Sequence, residues 1–375
     1  MTPLTSIQDK PSGPTPARSI APTGFWRSWE TRFGITVGIL VPCYKNREKM
    51  AALLVDFWES LTGVPMAPNA AATWFVALQL VGLVVLWFDV LRRDKRFYAP
   101  LLISSILLMG DAAYGILDNH SSPLLARLTG GYIQTISPTF LAILTAIAAE
   151  MLLGRSYYGK WPHLASAYVS GISAGILIKS PATWPFVFCA LISITSKYVL
   201  RIGDRHLWNP TNLGMTAMLF LAPEHVASLS VQAGNEIWAV AVIWVLGGLI
   251  LWQLGRLHIP VAFIAAFVPL SILRTWVTGN AVVTELAPLT TPMFQLYIFF
   301  MITDPKSTTK TWRRQVIVAV AVAVMETFLR LAFRDVHSLY HALFTVGPVS
   351  NLIEIVAERG LRKPVTASPS ATKSR

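Results

Sequence analysis

The stretch Ile237–Leu254, IWAVAVIWVLGGLILWQL, carries no charged side chain over its whole length. A helix that crosses the hydrocarbon core of a bilayer needs about 20 predominantly apolar residues. A run this oily cannot sit on a water-facing surface, so it reads as a membrane span. Arg256 follows it, and a second apolar run starts at Ile259 and continues to Val277.

Working outward, the same reading gives apolar segments at 73–91, 97–117, 132–153, 164–178, 182–200, 211–221, 237–254, 259–277, 289–302, 316–333 and 339–356. The expected fold is therefore all-α and polytopic, with about ten or eleven transmembrane helices. The segments 164–178, 211–221 and 289–302 are too short to cross. Short, Gly- or Pro-interrupted segments in corresponding halves mark broken helices around a midplane site.

Composition agrees. The 375 residues are 54% hydrophobic and 13% charged, with a mean hydropathy of +0.53. A soluble domain carries about 25% charged residues. A chain so poor in charge cannot cover a surface of its own size, and lipid must face much of it. Net charge is +12, but the Lys and Arg residues fall in short clusters between apolar runs. That distribution fits membrane loops and argues against nucleic acid.

The basic clusters lie at 92–96, 155–160, 197–206, 256, 306–314 and 359–363, and the connectors between them are neutral or acidic. The alternation puts the positive connectors and the C-terminus on the cytoplasmic side of the cell membrane. Eleven crossings would place the basic N-terminal tail on the other side, so one segment is re-entrant or one span is missed.

Residues 1–25 hold five prolines among Ser, Thr and Gly and read as a disordered tail, as does the basic end 359–375. Residues 26–66 read as an interfacial region, with an amphipathic helix over 50–61. The span-bearing domain is 67–358. Cys43 and Cys189 are far apart and form no metal or disulfide motif.

Three blocks are more specific than hydropathy. They are Ser170 to Pro181, with a small-residue face; Ser196 to Gly214, a basic turn that ends in Asn209-Pro210-Thr211-Asn212-Leu213-Gly214; and Met293 to Thr309, an apolar run that ends in Thr303-Asp304-Pro305. In this order, over roughly residues 70–356, they resemble the NqrB/RnfD family, membrane subunits of the sodium-pumping quinone reductase and of the Rnf electron-transport complex. The resemblance implies two inverted repeats of about five helices. It also implies flavin-mediated electron transfer coupled to Na⁺ or H⁺ movement, with other electron-transport subunits as partners.

Family members carry FMN on the threonine of a Ser-Gly-Ala-Thr motif after the Asn-Pro helix. This sequence has no such motif, and residues 223–236 contain no threonine. Covalent FMN is therefore not expected, and a flavin or quinone would be held non-covalently. Divergent relatives of this kind also stand alone, some encoded with enediyne biosynthesis enzymes. A small-solute or ion transporter, or an accessory protein of secondary metabolism, is the alternative.

The candidate cofactor-binding residues are Lys197, Arg201, Asn209, Thr303 and Asp304. Asn209 at a helix cap, with Pro210 at the first helical position, leaves backbone N–H groups beside Lys197, Arg201 and Arg205, which suits a phosphate or carboxylate. The bland alternative is a capped helix beside positive-inside charges. Asp304 either closes a turn or pairs with Lys306.

Asp111 is an acid at mid-span and the candidate ion relay; the alternative is a structural pair with an arginine. Glu326 has Arg330 four residues on, one helical turn away, which favours a structural pair. Lys179 either lines a cavity or snorkels to the interface. His337 and His341 lack the carboxylate spacing of a metal motif, so no metal or catalytic residue is expected.

Overall fold

The computed structural model describes residues 47–93, 123–131, 135–203, 205–228 and 237–361, with Ile35 and isolated positions between 99 and 121. The chain divides into two units, Met1–Asn46 and Arg47–Arg375, and the helices named here belong to the second. The expected tail 1–25, most of the expected span 97–117, and Asp111 lie outside the described residues.

The fold is all-α. Among the described residues the helices are α1 (Arg47–Thr62), α2 (Pro68–Arg93), α3 (Pro123–Leu128), α4 (Pro138–Tyr158), α5 (Ala165–Leu177), α6 (Trp184–Val199), α7 (Pro210–Leu221), α8 (Ile237–Leu254), α9 (His258–Thr278), α10 (Val282–Leu286), α11 (Pro292–Leu296), α12 (Trp312–Phe333) and α13 (Ser338–Leu361). Three short antiparallel ladders join connectors: β1 (His120–Ser121) with β2 (Thr135–Ile136), β3 (Ile178–Lys179) with β6 (Ala227–Ser228), and β4 (Arg201–Ile202) with β5 (Arg205–His206).

Among the described residues, α4, α9, α12 and the 338–358 part of α13 are long and apolar enough to cross a membrane, and α5, α6, Ile243–Leu254 and Pro292–Met301 are shorter apolar helices. Outward faces are oily. Leu144, Leu152, Trp252, Trp276 and Val283 are all exposed, as lipid-facing residues must be. This is a multi-pass α-helical membrane architecture.

The segment expected as one short helix at 289–302 is broken further. Pro288 and Pro292 lack backbone donors, and the chain there runs as a 3₁₀ turn (Ala287–Thr290), then α11, then a π turn (Tyr297–Met301). In the π turn Ile302 N donates to Tyr297 O. Such π turns are rare and recur at functional sites.

Small residues set the helix crossings. A Cβ on Gly171 would lie 2.6 Å from Ile143 Cα, and one on Gly175 would lie 2.5 Å from Thr139 Cα, so α5 presses its glycines against the α4 backbone. This is the small-xxx-small spacing by which helices associate where no hydrophobic force acts between them. Gly214 does the same for α7, where a Cβ would lie 2.4 Å from Cys189 O in α6.

In the second half, α9 packs on α12 and α12 on α13, while α8 lies against α11 and the π turn. Arg274 of α9 is fully buried. Its Nε donates to Glu285 Oε2 at 2.8 Å and its Nη1 to Glu326 Oε2 at 2.9 Å, while Phe267 lies beneath the guanidinium at 4.8 Å. Arg330 pairs with the other Glu326 oxygen at 2.9 Å. Glu326 is thus a structural ion-pair partner, shared by two arginines, and the quartet is charge-balanced.

Hydrogen bonds sort the connectors by side. One end gathers the 200–209, 255–257 and 302–311 connectors and the last turns of α13. The other gathers β3, β6 and the 334–337 connector, where Ser228 Oγ and His337 Nδ1 lie 2.8 Å apart. The first end holds Lys197, Arg205, Arg256, Lys306 and Arg314, as the charge alternation anticipates.

Candidate functional site

The positive end is built where α7 and the π turn meet. Asn209 is the α7 cap. Its Oδ1 accepts Asn212 N at 3.0 Å, and its Nδ2 donates to Met301 O at 3.1 Å, the last residue of the π turn. One side chain thus ties the two broken helices end to end. His206 N adds a strand-like bond to Lys306 O at 3.1 Å. The Asn-Pro and Thr-Asp-Pro blocks, nearly a hundred residues apart in sequence, form a single joint.

Thr303 and Asp304 shape the second loop. The Thr303 hydroxyl donates back to Phe299 O. Asp304 Oδ2 accepts Ser307 Oγ at 2.6 Å and Oδ1 accepts Lys306 N at 3.3 Å, a local cap that fixes the turn after the π segment. Asp304 also attracts Lys197, His206 and Arg256, and Arg256 Nη1 reaches Thr303 O at 3.4 Å. It therefore sits as an acid among basic side chains from α6 and two connectors, and it closes a turn as well.

Lys197 is buried near the end of α6. Its Nζ donates to Ser166 Oγ at 3.1 Å and to Glu150 Oε2 at 3.4 Å, and Tyr198 OH donates to Glu150 Oε1 at 2.8 Å. Arg201 turns to the outer rim, where it donates to Gly203 O and to Tyr158 OH and lies over the Tyr158 ring. The structure brings Asn209, Thr303 and Asp304 together, turns Lys197 to Glu150 and Ser166 within reach of the Asp304 charge, and leaves Arg201 at the edge. Burial pushes the His206 imidazole down to about 4, with Lys306, Lys197 and Arg201 adding to the effect and Asp304 opposing it.

The residues that lock the joint are Asn351 and Glu354 of α13, which sequence reasoning missed. Asn351 is fully buried. Its Nδ2 donates to Leu207 O at 2.9 Å and to Ser307 O at 2.8 Å, one carbonyl from each loop, while its Oδ1 accepts Arg205 Nη2 at 3.0 Å. Glu354 accepts Arg205, Arg314 Nη1 at 3.0 Å and Lys310 N at 3.1 Å. The signal was available as an Asn and a Glu three residues apart, on one face of an apolar helix.

On the opposite end, β3 and β6 border a cavity of about 400 Å³, lined among others by His120, Thr139, Lys179, Phe186, Glu224 and His225. Lys179 is exposed at its mouth. His341 Nδ1 pairs with Asp335 Oδ2 at 2.6 Å, and His337 Nδ1 lies 2.8 Å from Ser228 Oγ. Among the described residues no group of His, Cys, Asp or Glu is placed to hold a metal ion.

Fold and site together define a multi-pass α-helical membrane protein whose two broken helices are joined at its positive end. No family model matches the chain. It is similar to the D subunit of the ion-translocating oxidoreductase complex of Citrobacter koseri, at 24% identity over 247 residues that span 57% of this chain and 70% of that protein.

Proposed function

We propose that the chain is a membrane subunit of an electron-transport complex that couples redox chemistry to ion movement, with other membrane subunits as partners. The carrying observation is the joint itself. The two sequence blocks that suggest an RnfD-like protein are the ones whose side chains tie the broken helices together, and the chain shares distant similarity with a subunit of an ion-translocating oxidoreductase. Its place is the cell membrane, with the positive end and α13's C-terminus towards the cytoplasm.

Covalent FMN does not fit this chain, because the connector after α7, residues 223–236, offers no threonine. A flavin or quinone held non-covalently is the finer form of the proposal. The test is the absorbance spectrum of the chain purified in mild detergent, with co-purifying subunits identified by mass spectrometry. Flavin absorbance or redox subunits in the peak support the reading. A colourless, solitary protein that moves solutes into liposomes overturns it in favour of a stand-alone transporter, the reading that the cavity beside Lys179 favours.

A further inference from the structure

The cavity beside the β3–β6 ladder holds charges that the chain itself does not use. Its volume of about 400 Å³ falls within the range of small-molecule sites, roughly 300–1,000 Å³. The ladder fixes the rim, because Lys179 pairs in register with Ala227, three residues beyond Glu224. Two hydroxyls of the lining are already engaged: Thr139 Oγ1 donates to Gly175 O at 3.2 Å, and Ser180 Oγ accepts Ala182 N at 3.1 Å. Lys179 and Glu224 are not engaged. Both line the cavity and both are exposed, yet among the described residues their side chains form no ion pair, with each other or elsewhere, and no hydrogen bond.

His120 adds a third free group. Its Nδ1 is buried and has no hydrogen-bond partner. Its ring stands edge-on to Phe186, with centroids 6.1 Å apart. A buried ring nitrogen left unpaired is costly, and it donates to a carboxylate or accepts from an ammonium according to the tautomer. Ile178, Phe186 and Val226 are buried in the same lining and make part of it apolar. An apolar wall with a few convergent polar groups is the usual make-up of a ligand site.

One cationic and one anionic side chain in a single cavity select by charge. A simple anion drawn to Lys179 meets Glu224, and a simple cation drawn to Glu224 meets Lys179. A phosphomonoester, with nearly two negative charges, is disfavoured more strongly. A molecule with one charge of each sign uses both groups. We infer that the cavity binds a free α-amino acid with an apolar side chain: carboxylate on Lys179, ammonium on Glu224, and side chain against Ile178, Phe186 and Val226. The inference goes beyond the proposed function, since such a site needs neither flavin nor a partner subunit.

The test is calorimetric titration of the whole chain, purified in mild detergent, with L-leucine as the probe. Two analogues each keep one charge: 4-methylpentanoate has the carboxylate alone and 3-methylbutylamine the ammonium alone. Leucine should bind saturably, one per chain, and each analogue about tenfold or more weakly, the worth of one charged hydrogen bond. Lys179→Gln should weaken leucine about tenfold and leave it no better than 3-methylbutylamine. Glu224→Gln should do the same relative to 4-methylpentanoate. Both side chains are exposed and unpaired, so neither variant should move the Tm of the unliganded chain by more than about 1 °C.

Absence of saturable leucine binding overturns the inference. So does an analogue that binds the unaltered chain as tightly as leucine, or leucine binding that both variants leave unchanged. Flavin absorbance and co-purifying subunits are read on the same preparation without leucine, so the two proposals fail separately.

Discussion

Replacing Asn351 by leucine should loosen the joint while leaving every helix intact. Asn351 gives N–H groups to Leu207 O and Ser307 O and accepts from Arg205. A buried carbonyl left without its partner costs about 1–2 kcal/mol. Arg205 keeps Glu354 and Thr308 O, so losing its third bond costs about 1 kcal/mol. Leucine regains about 1 kcal/mol through apolar burial.

The net loss is about 3 kcal/mol, which lowers Tm by roughly 4 °C in a chain of this size. The assay is thermal unfolding in detergent, followed by tryptophan fluorescence, with the lipid-facing Val349→Ala as control. Because Asn351 and Glu354 share Arg205, the double variant Asn351→Leu/Glu354→Gln should lose less than the two single losses together. A drop under about 2 °C, or strict additivity, would refute the view that Asn351 holds the two loops.

Other outcomes follow from the buried charges. Arg274→Met leaves Glu285 and Glu326 with one fewer cation in the interior, and the loss should be about 3–5 kcal/mol; adding Glu326→Gln should recover part of it, read as Tm of the double variant. His206 titrates at about 4 in the folded chain against about 6.5 when unfolded. The unfolded state therefore binds the proton first, and the stability His206 contributes above pH 6.5 is lost as pH falls towards 4. His206→Asn should flatten the Tm–pH curve in that window, and an unchanged slope would remove His206 from the account.

Hydropathy located the spans because lipid leaves so few options for exposed backbone. Segment 237–254 matches α8 to the residue, and 164–178 and 182–200 fall within two residues of α5 and α6. The Asn209 cap was legible because Asn-Pro chemistry is local. The 3₁₀–α–π sequence over 287–301 was not, since a π turn is settled by packing against α8 and leaves no residue signature. Asn351 and Glu354 were missed for another reason. Their roles depend on loops that lie far off in sequence, and a polar residue in a helix says nothing by itself about which distant carbonyl it meets. The pairing of Glu326 with Arg330 was readable because it spans one turn; the larger share taken by Arg274 was not.

Trp208 Nε1 donates to Phe344 O at 2.9 Å, a carbonyl that Pro348 cannot claim because proline carries no N–H. Together with Asn351 and Glu354, this makes α13 the piece still needed by loops synthesised much earlier. The two turns bond each other without α13, through His206 N to Lys306 O and Asn209 Nδ2 to Met301 O, but Leu207 O, Ser307 O and the Trp208 indole find these partners only in α13. Completion of the positive end is thus deferred until α13 has been made, and a ribosome stalled before residue 351 would leave a set of inserted helices without their keystone.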